Sequence, residues 1–198
     1  MRLVALTFVL YVLTAGVCSF SLAAGLQIGD PAPDFSLPGI DGENHSLDDY
    51  KDSPVLVVIF TCNTCPVVHA YEERMIAIQK DYADKGVQFV GINPNSLDVM
   101  PGDSLEKMKE RAAEKGYNFP YLRDDSQEVA RTYGARVTPH VFLFDKDRKL
   151  VYKGRIDDNR NPVAVTTNDL RNALDAVLEG RPVEPAVTTE FGCTVKWK

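Results

Sequence analysis

The chain has 198 residues, of which 44% are hydrophobic and 25% charged, with a formal net charge of −6. This is the composition of one soluble domain large enough to bury a full core. The acidic balance and the absence of a basic run argue against a nucleic-acid partner.

Residues 1–24 read as a segment separate from the fold. Arg2 gives a short positive start and Leu3 to Val17 is almost wholly apolar. Ser21-Leu22-Ala23 and Leu22-Ala23-Ala24 supply small residues for cleavage. A secretory signal peptide has this layout, which implies an exported protein in the periplasm or another extracytoplasmic space. Left uncleaved, the same stretch approaches the roughly 20 residues that cross a bilayer and would act as an anchor. Cys18 departs with a cleaved signal, leaving Cys62, Cys65 and Cys193.

The expected domain runs over 25–184. Turn formers crowd 25–53, with a β-hairpin expected around Phe35-Ser36-Leu37 and His45-Ser46-Leu47. Val55 to Phe60 is an unbroken apolar run, as in a strand buried on both faces. Pro66 to Lys85 carries Val68, Tyr71, Met75 and Ile78 at helical spacing and ends at Gly86. Val87 to Asn93 reads as a strand, followed by a long loop through Pro101-Gly102-Asp103. Ser104 caps a helix that stops at Lys115-Gly116. Tyr117 to Leu122 is expected as a strand, Ser126 to Tyr133 as a short helix, and Val141–Phe144 with Leu150–Lys153 as a hairpin. A last helix covers Asn168 to Leu178, and a Pro-rich stretch leads into a tail, 185–198, that carries Cys193. Strands separated by helices predict an α/β fold with a mixed sheet.

The chemistry concentrates at Phe60-Thr61-Cys62-Asn63-Thr64-Cys65-Pro66. A buried strand leading through Cys-x-x-Cys into a helix is expected to put Cys62 at the helix start and Cys65 one turn on. The helix N-terminus favours a thiolate through its partial positive charge and free N–H groups. Such a dithiol opens and closes a disulfide. A purely structural disulfide is the bland alternative, yet so short a loop constrains the chain little.

Strand, Cys-x-x-Cys, helix, and then Val137-Thr138-Pro139 before a β-hairpin resemble the thioredoxin fold. The Ala32-Pro33-Asp34-Phe35-Ser36-Leu37 segment resembles the AhpC/TSA (redoxin) family, with its peroxiredoxins and exported TlpA/ResA-like thiol-disulfide oxidoreductases. The resemblance covers about residues 27–180. It implies a thioredoxin-like α/β fold with a mixed central sheet flanked by helices, extended by the N-terminal β-hairpin. It also implies that Thr138-Pro139 is cis, lies beside the dithiol and lets the preceding backbone pair with a substrate chain. Cys62 would be the nucleophile and Cys65 the resolving thiol, with no cofactor beyond the Cys62–Cys65 disulfide. Partners would be protein or small-molecule thiols and disulfides, with a membrane electron donor.

Two positions depart from the family pattern. The residue six before Cys62, an acid in thioredoxins, is Leu56; the residue six after it, often Glu in TlpA/ResA-like proteins, is Val68. His69 is then the candidate for proton transfer, against the plainer reading of an exposed helix residue. Three roles stand open for Cys193: resolving a mixed disulfide, pairing between chains, or remaining a quiet thiol. Two rival functions remain. Cys65-Pro66 is half of a peroxiredoxin motif, with Arg136 as its candidate cation. Alternatively, Cys62, Cys65 and His140 form a Sco-like copper-binding set, since thiolates suit Cu(I).

Overall fold

The computed structural model describes residues 25–198, so the expected signal segment lies outside the described residues. Its centre is the expected strand β3, Val55–Phe60, buried along its whole length. Val55, Val57 and Ile59 enter one apolar cluster while Leu56, Val58 and Phe60 enter another, so a run without alternation serves two cores at once.

The other strands assemble around it. β1, Ser36–Pro38, and β2, Asn44–Ser46, form the N-terminal hairpin. β4, Val87–Asn93, runs parallel to β3, and β5, Tyr121–Arg123, parallel to β4. β6 is the two-residue Val137–Thr138. After Pro139, β7, His140–Phe144, pairs antiparallel with β3, and β8, Leu150–Gly154, antiparallel with β7. The central sheet has the order β5-β4-β3-β7-β8, mixed in direction.

Helix α1, Pro66–Tyr82, lies on one face with α4, Asp169–Leu178. Val68, Tyr71, Met75 and Ile78 of α1 are buried, each contributing about 2 kcal/mol of apolar burial. The opposite face is covered by α3, Glu128–Tyr133, and by Phe35, Leu37 and Tyr50 of the N-terminal extension. Helix α2, Leu105–Lys115, covers Tyr121 at the sheet edge through Met108 and Ala112. The Ser104 hydroxyl caps α2 by accepting from the Lys107 N–H, and Gly116 ends it in the left-handed conformation.

Two expectations need correction. The strand expected over 117–122 begins only at Tyr121: the Tyr117 N–H still bonds back to Ala112, and Pro120 has no N–H to give a ladder. Helix α3 starts at Glu128 because Gln127 takes a positive φ of 64°. Residues 185–198, the segment that carries Cys193, are fastened to the body. The Lys153 N–H bonds to Ala186 and the Thr188 N–H to Lys153, so the segment runs beside β8. It then crosses to form β9, Cys193–Thr194, antiparallel to β6.

Candidate active site

The ladder between β3 and β4 extends past β3, where the Thr61 N–H bonds to the Ile92 carbonyl at 2.8 Å. The chain then turns through Cys62-Asn63-Thr64. Helix α1 begins at Pro66, with Cys65 as its N-cap residue at φ −85°, ψ 120°. The helix starts at Pro66 as expected, so the cysteine at its terminus is Cys65 and not Cys62. Proline suits the first helical position, having no N–H to lose, and it disfavours helical geometry in the residue before it. Cys65 therefore occupies the helix terminus, while Cys62 lies in the loop.

The antiparallel register sets Phe60 opposite His140, bringing the preceding Thr138-Pro139 beside the cysteine loop. The Thr138–Pro139 peptide bond is cis. The Cys62 sulfur lies 3.1 Å from the Thr138 hydroxyl, and Cys65 Sγ lies 3.4 Å from the Thr138 carbonyl. The expected Cys62–Cys65 disulfide is not the one formed. Cys65 is bonded to Cys193, and Cys62 is the free cysteine among the described residues. The register explains the pairing, since β9 places Cys193 directly opposite Thr138.

Cys62 is fully buried. Burial pushes its thiol above the usual range, and the negative Asp103 adds to this; the Thr138 hydroxyl and the Thr64 and Cys65 N–H groups work the other way without prevailing.

Asp103 was not singled out by the sequence. It is fully buried beneath the two-residue spacer. It accepts from the Asn63 N–H at 2.6 Å, the Thr64 hydroxyl at 2.8 Å, Asn93 Nδ2 at 3.1 Å and Asn95 Nδ2 at 2.9 Å. Tyr121 donates its hydroxyl to Asn63 Oδ1 at 3.1 Å. The spacer is thus held from below by a buried acid. Leu56 and Val68, at the family's usual acid positions, are buried in the apolar clusters on either side of the sheet. The sequence signal that was available is Asn93 at the end of β4 with Asn95 in the loop just after it, since polar residues closing an apolar strand need a partner.

The remaining candidates are placed as follows. His69 is exposed, and its ring donates to the Asn63 carbonyl at 2.5 Å, bracing the spacer. His140 follows Pro139 but belongs to the strand face of Phe142 and Phe144, with its ring 4.5 Å from Phe142. Val141 and Leu143 face the cysteines instead. Period-two alternation thus separates His140 from the dithiol, and among the described residues no three His, Cys, Asp or Glu side chains cluster as metal ligands. Burial lowers the His140 pKa to about 4. Arg136 is largely exposed and is ion-paired with Glu190 of the tail segment.

The AhpC/TSA family model matches residues 28–153, well over half of the chain. The chain belongs to the AhpC/TSA family. Among family relatives, the thiol-disulfide oxidoreductase ResA of Geobacillus kaustophilus is 30% identical over 154 residues, covering 74% of this chain and 83% of ResA. An uncharacterized conserved protein from the same organism has a solved structure that superposes with a TM-score of 0.83 at 45% identity, covering 87% of this chain and 93% of that one. A putative thiol:disulfide interchange protein DsbE from Chlorobium tepidum matches at TM-score 0.61 and 27% identity, covering 78% of this chain and 99% of its own. The fold is thioredoxin-like, as the motif order implied.

Proposed function

We infer that this protein is a thiol-disulfide oxidoreductase acting on protein or small-molecule thiols and disulfides, with Cys62 and Cys65 as its redox pair. The observation that carries this reading is the convergence of both sulfurs on Thr138, with Cys65 already bonded to a cysteine on a strand paired with that residue. The resemblance to the thiol-disulfide oxidoreductase ResA and to a DsbE-type thiol:disulfide interchange protein supports it.

The positions favour a division of labour opposite to the one the family resemblance implied. Cys65 stands at the N-terminus of a 17-residue helix, where the macrodipole and free N–H groups support a thiolate. It is the sulfur that meets the partner. In the reduced enzyme, the Cys65 thiolate attacks a partner disulfide, forming a Cys65–partner bond and releasing one partner sulfur as thiolate. Cys62 then attacks Cys65 Sγ, closing Cys62–Cys65 and releasing the second partner thiolate. Two electrons pass to the partner, and the reverse sequence oxidises a dithiol. The chain's own residues position these steps: Thr138 donates to the Cys62 sulfur, and Asp103 fixes the spacer.

The apolar run of 1–24 supports export, and an exported reductant needs a membrane electron donor to restore its dithiol. Arg136 is occupied by Glu190 and His140 lies on the other face of the sheet, so neither rival gains support from the geometry.

Dithiothreitol-fed reduction of insulin tests the reading. The wild-type chain is expected to accelerate it, and Cys62→Ser and Cys65→Ser are each expected to lose at least about 100-fold. Wild-type rates equal to dithiothreitol alone would overturn it.

A further inference from the structure

We propose that residues 190–196 are an internal pseudosubstrate, and that the site they fill accepts an extended protein strand in which glycine precedes the reacting cysteine. This deepens the thiol-disulfide exchange reading and rests on it.

Three independent features carry the inference. The first is the pairing itself. β9 adds to β6 by antiparallel pairing, with Val137 opposite Thr194 and Thr138 opposite Cys193. The Val195 N–H continues the register to the Arg136 carbonyl at 2.9 Å. This is strand addition, in which backbone bonds give affinity and side-chain positions give selectivity. The second feature is covalent. The cysteine brought opposite Thr138 is joined to Cys65, so the closed form has the connectivity of an enzyme–partner mixed disulfide.

The third is the residue before the cysteine. A Cβ on Gly192 would fall 2.6 Å from the Thr138 carbonyl carbon and 3.0 Å from the Pro139 nitrogen. Both are backbone atoms, which cannot swing aside as a side chain can. The strand lies in this register only because position 192 is glycine.

The strand is also strapped at both ends. Before it, Glu190 pairs with Arg136. After it, the Lys196 N–H bonds to Asn95 Oδ1 at 2.9 Å and the Lys196 carbonyl accepts from the Ser96 N–H at 2.7 Å. Asn95 also donates to Asp103. The end of the tail and the cysteine spacer therefore share one anchoring loop.

The exchange needs no outside oxidant. The Cys62 thiolate attacks Cys65 Sγ of the Cys65–Cys193 disulfide. The Cys62–Cys65 bond forms, the Cys65–Cys193 bond breaks, and the electron pair leaves on Cys193, which takes up the proton that Cys62 gave. Closed and open forms thus hold the same number of electrons. The closed form keeps the edge of Val137–Thr138 covered, and the open form exposes it to an external strand of the same kind.

The test uses the full mature chain, oxidised, as wild type, Gly192→Ala and Cys193→Ser, with a synthetic peptide of residues 190–196 and its copy carrying alanine at position 192. Disulfides are mapped by mass spectrometry and peptide capture at Cys65 is timed. The wild type should show Cys65–Cys193. Gly192→Ala should show Cys62–Cys65 and capture the glycine peptide at least tenfold faster than the alanine peptide. Cys193→Ser, whose tail still docks without a bond, should capture the glycine peptide more slowly than Gly192→Ala does. A Gly192→Ala protein that keeps Cys65–Cys193, or equal capture of both peptides, overturns the pseudosubstrate while the same proteins, first reduced with dithiothreitol, still exchange with dithiodipyridine. Absence of that exchange in all three reduced proteins overturns the underlying activity and this inference with it.

Discussion

The hydroxyl of Thr138 lies 3.1 Å from the sulfur of Cys62, across 76 residues of sequence. Once that sulfur is ionised the hydroxyl is its donor, and the bond is charge-assisted. Replacing Thr138 with valine keeps the shape and removes the donor. Thr138→Val is expected to slow exchange by about 10- to 100-fold, the equivalent of one such bond, and to move the Cys62 titration further upward. The pH dependence of Cys62 alkylation in the reduced protein reads the second effect directly.

Asp103 acts on the same sulfur in the opposite sense. Its negative charge helps hold the Cys62 thiol above the usual range. Asp103→Asn removes that charge, so the pH midpoint of Cys62 alkylation should fall. It also leaves a donor where the spacer needs an acceptor, so the variant should be less stable by about 2–3 kcal/mol in urea unfolding.

Glu72 is buried on α1 and is bound by Arg111 of α2 through Nε at 2.8 Å and Nη2 at 2.7 Å, with the Tyr117 hydroxyl at 3.0 Å. Removing Arg111 alone strands a buried carboxylate. Arg111→Met should cost about 3–5 kcal/mol, and the double variant Glu72→Leu/Arg111→Met should recover most of it. Denaturant midpoints of the two variants give the comparison.

His140 sets a pH dependence of stability. Its folded pKa is about 4, lowered by burial from an ordinary value of 6.5. Between those values the unfolded chain binds the proton and the folded chain does not, so stability is lost as pH falls from 6.5 towards 4. The loss from this one group is up to about 3 kcal/mol. The stability of wild type relative to His140→Phe should therefore fall as the medium is acidified through that window, and a constant difference would exclude the role.

Much of the fold is legible residue by residue. The unbroken run Val55–Phe60 and the spacing of Val68, Tyr71, Met75 and Ile78 carry β3 and α1 because burial on two faces or one stripe is written in their periodicity. The helix start was readable too: Pro66 dictates that Cys65 is a cap, a stronger local constraint than the Cys-x-x-Cys pattern. The rest is tertiary. Asp103 resembles any turn acid before a capped helix, and only the packing of the 93–103 loop under the spacer buries it. Cys193 was legible as a third thiol but not as a partner of Cys65, because a two-residue strand far along the chain has no periodicity to reveal where it pairs. His140 lies next to Pro139 in sequence, yet strand alternation turns it away from the cysteines.

The most direct test asks which sulfur carries the partner. Cys193 is changed to serine to keep the tail from competing, and Cys62→Ser and Cys65→Ser are compared in that background during exchange with a disulfide-bonded peptide. A mixed disulfide is expected to accumulate at Cys65 in the protein lacking Cys62, because nothing remains to resolve it, and the protein lacking Cys65 should trap little. Accumulation at Cys62 in the protein lacking Cys65, or no mixed disulfide in either, would contradict that assignment.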